Sequence, residues 1–255
     1  MIPLFAFAIS ESEWHEKNSE HFIVRYVSLD DESLSGEFIR AAEHYYDRLG
    51  GLIGYKRYDS FWTWDDRAII FIYPDKKKFM SDTGQPEWSL GGSTNDEVHF
   101  KKRVIITYAQ ADEFIYGVLP HEITHLVLKD FIKDGKSIPV WFQEGLAQLQ
   151  ETKKMDEVYK ILPQRVNAGQ YIPFSIVNNI DIYKEKDKNV VGIFYAQALT
   201  MVDYMVKTYG EDKFAYLCRG IRDGAGFDES LRRAYPEINN MEDFEKKWLS
   251  YMKTF

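Results

Sequence analysis

The stretch VIITYAQADEFIYGVLPHEITHLVLKDF, residues 104–131, is where the chain passes from one kind of structure to another. Residues 104–108 form a β-branched and aromatic run of strand length. From 113 to 132 the apolar residues, among them Leu119, Ile123, Leu126 and Val127, recur at helical spacing. Pro120 is the awkward member, because a proline inside a helix removes a donor and clashes with the preceding turn. Either the helix kinks there or a new helix begins there, where proline is tolerated.

Upstream of this stretch the pattern is mixed. HFIVRYV (21–27) alternates as a half-buried strand, and SGEFIRAAEHYYDRLG (35–50) reads as a helix ending at Gly50-Gly51. RAIIFIYP (67–74) is a strand stopped by proline, and Asp75 caps a short helix, DKKKFMSDTG. A loop with Gly84, Pro86, Gly91 and Gly92 leads to VHFKKRVIITYA (98–109), which reads as two strands or one bent strand. Downstream the strand patterns end, and helices are predicted at 139–152, 155–168, 189–209, 212–222, 227–234 and 241–252. Pro163 predicts a stop or kink in the second of these. The fold class is therefore α+β: a small N-terminal mixed sheet with helices, then an all-helical part. The expected boundaries are an N-terminal segment at 1–19, an α+β subdomain at 20–132 and a helical subdomain at 133–255, and clefts form at such junctions.

With 255 residues, 45% of them hydrophobic and 28% charged, the composition is that of a globular protein with a substantial core. A net charge of −8 argues against general binding to nucleic acid or anionic membrane, which need a basic surface. The single cysteine, Cys218, excludes an intrachain disulfide and any zinc site built on two or more thiolates, and it reads as a small core residue. The apolar start, MIPLFAFAIS, is too short to span a bilayer. Its Ala6-Phe7-Ala8 resembles a signal-peptide cleavage pattern without a basic n-region, which tilts the expectation towards an extracytoplasmic protein; a frayed or docked terminus is the alternative.

His121-Glu122-Ile123-Thr124-His125 is an H-E-x-x-H motif. Residues four apart share a helix face, so both imidazoles reach one ion, while Glu122 approaches the water that the ion activates. A catalytic zinc takes three protein ligands. Position 131 is Phe, so no third histidine follows at that spacing. The next candidate is Glu144 in WFQEGLAQ (141–148), on a helix started by Pro139, with small Gly145 and Ala147 beside it to permit a close helix approach.

HEITH, an eighteen-residue spacer and WFQEGLAQ together resemble the gluzincin zinc metallopeptidases, and within them the peptidase MA-like group. GIFYAQALTMVDYMVKTYGEDKF, FDESLRRAYP and MEDFEKKWLSYM resemble its C-terminal helices, and HFIVRYV and the Gly91-Gly92 loop its N-terminal part, so the likeness spans about residues 20–252. The resemblance implies a zincin-like catalytic domain, one zinc ion held by His121, His125 and Glu144, Glu122 as general base, and a peptide or protein substrate. It also implies a Tyr or His that stabilises the oxyanion. Tyr195 is the best candidate, with Tyr183 and Tyr108 behind it. Gluzincin architecture further implies that VIITY is the sheet edge on which an extended peptide pairs.

Two departures matter. The G-x-M-E-N motif that grips a free amine is absent at Gly91-Gly92-Ser93-Thr94-Asn95, which turns the expectation from aminopeptidase to endopeptidase. Position 148 is Gln, where thermolysin-like relatives place a supporting aspartate. A non-proteolytic zinc-site binding or regulatory protein is the rival reading, although it has no need of Glu122. A sugar-stacking surface of Trp62, Trp64 and Trp88 is weaker than ordinary core packing of aromatics. His15, His21, His44 and His99 are scattered and read as surface or structural residues. Oligomeric state is not legible.

Overall fold

The computed structural model describes residues 13–27, 32–55, 62, 66–87, 89–94, 103–109, 113–132, 138–151 and 154–255. The signal-like segment, all of VHFKK with His99, Trp64 and Trp88 lie outside the described residues. The chain forms two compact units, one of residues 1–48 and 58–126, the other of residues 49–57 and 127–255.

The first unit holds a five-stranded sheet in the order β1-β2-β3-β5-β4. Its strands are β1 (His15–Asn18), β2 (Phe22–Tyr26), β3 (Ala68–Tyr73), β4 (Gly91–Thr94) and β5 (Val104–Tyr108). The sheet is mixed, as expected. β2, β3 and β5 run parallel, and β1 and β4 pair antiparallel at the two edges. Every residue of β3 and β5 is buried, which suits the near-continuous apolar runs that central parallel strands require.

This order corrects one expectation. VIITY is not an edge: β5 is paired on both sides, Ile69↔Val104 with β3 and Gly91↔Thr107 with β4. The edge is β4, the sequence Gly-Gly-Ser-Thr that reads as loop because it has no apolar alternation. β1 likewise emerges from a run that reads as polar.

Helix α1 (Glu32–Leu52) continues through Gly50-Gly51 instead of ending there. Leu49, Leu52 and Ile53 are buried, so packing carries the helix past two residues of poor propensity. Helix α2 (Lys76–Thr83) keeps both expected ends. The Asp75 side chain accepts from the Lys78 backbone N–H at 2.7 Å, and Gly84 closes the helix at φ 67°. Ahead of the motif, Phe114–Val118 form one π-helical turn, and α3 (Leu119–Phe131) follows directly. The backbone N–H of Leu119 reaches back to the carbonyl of Phe114, so the turn widens just where Pro120 would clash with a normal one. The α-helix proper thus begins at Leu119, one residue before Pro120, close to the expected fresh start at the proline, with the π turn directly ahead of it.

The boundary between the units falls inside α3, after Leu126. The second unit contains α4 (Val140–Gln150), α5 (Met155–Asn167), α6 (Phe174–Val177), α7 (Lys188–Tyr209), α8 (Glu211–Arg222), α9 (Phe227–Ala234) and α10 (Met241–Met252). A 3-10 turn at Ile182–Lys184 and the short α6 were not foreseen, and α5 runs through Pro163 without stopping. Trp141, Phe142, Phe214, Phe227 and Phe244 stack into its core, and the Trp141 indole N–H donates to Asn178 Oδ1 at 2.7 Å. Cys218 is buried among the apolar groups of α8, as expected. Among the described residues no helix is long and apolar enough to cross a membrane.

Helices α4 and α7 meet at Gly145. A Cβ there would lie 2.3 Å from the Ala198 carbonyl oxygen and 2.8 Å from Val202, so only glycine permits the approach. Gly192, earlier on α7, has nothing within 4 Å of a built Cβ. Gly145→Ala is therefore expected to destabilise the fold by about 1–3 kcal/mol through overpacking. Gly192→Ala is expected to be neutral or to stabilise by up to about 1 kcal/mol through helix propensity. Thermal melts of the two variants test this: opposite directions of Tm change support the contact, and equal effects contradict it.

Candidate metal centre

In the first unit the candidate residues sit on α3. His121 and His125 are one turn apart and half-buried, with Nε2 atoms 3.0 Å from each other and ring centroids 4.7 Å apart. Two nitrogens bonded to one tetrahedral ion at about 2.0–2.1 Å stand roughly 3.3 Å apart, so the pair is set at ligand spacing. Ile123, Leu126 and Val127 are buried on the other side of the helix, and the buried Thr124 hydroxyl donates back to the Pro120 carbonyl at 2.8 Å. This segregation puts the imidazoles on the opposite face of the helix.

Glu122 lies beside them, half-buried, and its Oε2 accepts a hydrogen bond from the Ser93 hydroxyl of β4. The reach depends on Gly91. A Cβ at Gly91 would meet Phe114 at 2.3 Å and the Ile106 carbonyl oxygen at 2.5 Å. Phe114 belongs to the π turn that leads into α3, so glycine at 91 lets the edge strand lie close against that turn. Alternation along the strand puts Ser93 on the same face as Gly91. Ser93 escaped the sequence reading because a Gly-Gly-Ser-Thr tract carries no motif of its own.

In the second unit Glu144 lies on α4 and is 3% exposed, beside the Gly145 contact with α7. Its Oε1 accepts a 2.6 Å hydrogen bond from the Tyr183 hydroxyl, which comes from the 3-10 turn. Tyr195, on α7, is half-buried, and its hydroxyl makes no hydrogen bond to any described residue. Burial first, then the negative charges of Glu144 and Glu151, push its phenol up to about 12. It therefore remains a proton donor across the neutral range. Gln148 is buried one turn beyond Glu144, and Glu151 at the end of α4 pairs with Lys154 at 2.6 Å. Tyr108 is 5% exposed on β5 with its ring 5.4 Å from that of Phe79, which makes it part of the core of the first unit.

Among the described residues one group of His, Cys, Asp and Glu side chains could hold a metal ion, and its members are His121, His125 and Glu144. The remaining described histidines lie apart from it. His21, for one, bonds Glu43 through Nδ1 at 2.6 Å and stacks on Tyr46. Trp62 is fully buried, which removes it from any sugar-stacking surface.

A family model described as the Peptidase MA superfamily matches residues 66–254, a range that takes in β3 and β5, α3, and all of α4 to α10. No curated protein matches the chain.

The Gly91 contact has a measurable consequence. Gly92, its neighbour on the opposite strand face, meets only the Gln85 side chain at 3.7 Å. Gly91→Ala is expected to lower stability by about 1–3 kcal/mol, and Gly92→Ala by much less. Urea unfolding of both variants checks this, and equal midpoints would remove the argument that Gly91 seats β4 against the turn before α3.

Proposed function

We propose that this chain, which belongs to the peptidase MA superfamily, is a zinc-dependent peptidase that cuts within polypeptides, with His121, His125 and Glu144 as ligands and Glu122 as general base. Membership supports a metallopeptidase-like function on a peptide or protein substrate. The finer reading is carried by one observation: the ligand atoms offered by His121, His125 and Glu144 lie within 4.8 Å of one another. Two imidazoles and one carboxylate also form a donor set suited to catalytic zinc, since they leave a fourth position open.

When bound, zinc supplies Lewis-acid polarisation of the scissile carbonyl and lowers the pKa of water towards neutrality. The rest is the work of the chain. Glu122 takes the proton of the attacking water and passes it to the leaving amine. Ser93 occupies Oε2 of that carboxylate, so Oε1 is the oxygen left to receive the proton. Tyr195 donates its uncommitted O–H to the oxyanion that forms on the attacked carbonyl. Among the described residues β4 pairs only with β5, so its outer edge offers backbone groups to an extended peptide. A peptide laid there would be held by the same strand that holds Glu122. The absence of a free-amine grip at positions 91–95 favours cutting within a chain over trimming its N-terminus.

Zinc-loaded wild type is expected to cleave casein, and Glu122→Gln to retain zinc while losing about 10²–10⁴ in rate. Zinc retained with no Glu122-dependent cleavage of any protein would instead identify a non-proteolytic zinc-site module. Tyr195→Phe is expected to lower kcat by about 10²–10³ with little change in KM, as removal of one oxyanion donor does. An unchanged kcat in steady-state assays would take Tyr195 out of the mechanism.

A further inference from the structure

We infer that Tyr183 is a positioning residue for the metal: its hydroxyl holds the Glu144 carboxylate in the orientation that a zinc ion requires. This rests on the zinc reading above and assigns Tyr183 a role other than oxyanion stabilisation.

The geometry separates the two tyrosines near Glu144. A phenol has one proton to give. Tyr183 spends it on Glu144 Oε1 at 2.6 Å, whereas the Tyr195 hydroxyl has no hydrogen bond to any described residue. A donor already committed to a carboxylate has nothing left for an oxyanion, so Tyr195 keeps that role and Tyr183 serves the ligand. Glu144 needs such a partner. A carboxylate has two oxygens and rotates about its terminal torsion in a broad well, and a fixed hydrogen bond to one oxygen aims the other.

The turn that carries Tyr183 is built to present it. Ile182 is buried and anchors the turn to the second unit, while the Tyr183 side chain next to it is 69% exposed and meets the protein through its tip. The turn is closed by the Lys184 N–H donating to the Asp181 carbonyl at 3.1 Å and by the Lys184–Asp181 ion pair at 2.5 Å. A ring so exposed adds little to the core, so the position of its hydroxyl is the one contribution that removing the oxygen would abolish. The same exposure makes Tyr183→Phe a clean probe, because deleting a hydroxyl there leaves the packing of the unit intact.

The test is zinc affinity, measured without substrate by competition with a chromophoric chelator, on wild type and Tyr183→Phe. The expected result is a 10- to 100-fold weaker affinity in the variant, the range typical when a group that holds a metal ligand is removed. The metal-free proteins should melt at the same temperature. Equal zinc affinities overturn the inference and leave the zinc reading standing. A variant that binds zinc as tightly as wild type but loses kcat on casein also overturns it, and makes Tyr183 the oxyanion donor. A lower melting temperature in the metal-free variant, matching the affinity loss, reduces Tyr183 to a structural part and overturns it too. Wild type that takes up no zinc at all overturns the metal reading itself, and the inference with it.

Discussion

Two places where no side chain fits govern the two carboxylates of the candidate centre. At Gly145 the Ala198 carbonyl comes within 2.3 Å of where a Cβ would stand, and at Gly91 the ring of Phe114 does the same. The first contact brings α4 against α7, buries Glu144, and sets it in the same unit as Tyr183 and Tyr195. The second seats the edge strand β4 beside the turn that feeds α3, close enough for a side chain as short as serine to reach Glu122. Each carboxylate thus depends on a backbone approach that only glycine allows, and each accepts a hydrogen bond from a hydroxyl.

That pairing divides the labour at the centre. Glu144 is buried, accepts from Tyr183, and is suited to be a ligand whose position should not change. Glu122 is half-buried and accepts from Ser93 on one oxygen; in the proposed mechanism the other oxygen would take the proton. The π turn at Phe114–Val118 belongs to the arrangement around Glu122. It leads directly into α3, on which His121 and His125 stand one turn apart, and it supplies the Phe114 ring that fits against Gly91.

Much of this was legible in the chain, and the reason is periodicity. HEITH puts two imidazoles on one helix face by spacing alone, and the long apolar patterns of α4, α7, α8, α9 and α10 mark themselves within a residue or two. What was not legible has no period. β4 is four small or polar residues whose strand character comes from pairing with β5, not from propensity. Gly50-Gly51 look like a helix end, yet the buried Leu49, Leu52 and Ile53 hold the helix together through them. The partnership of Tyr183 with Glu144 joins residues 39 apart through an exposed ring on a 3-10 turn, and local patterning does not encode such a meeting. The family resemblance read from HEITH and WFQEGLAQ agrees with the match over residues 66–254, while its implied edge strand was displaced by one position in the sheet.

The most direct test of the account is X-ray absorption at the zinc edge on protein loaded with one equivalent of zinc and dialysed. The account predicts retained zinc with two imidazole nitrogens and oxygen donors at about 2.0–2.2 Å in four-fold coordination, and loss of an imidazole contribution in His125→Ala. Zinc that dialyses away, a six-oxygen shell, or a spectrum unchanged in His125→Ala would contradict it.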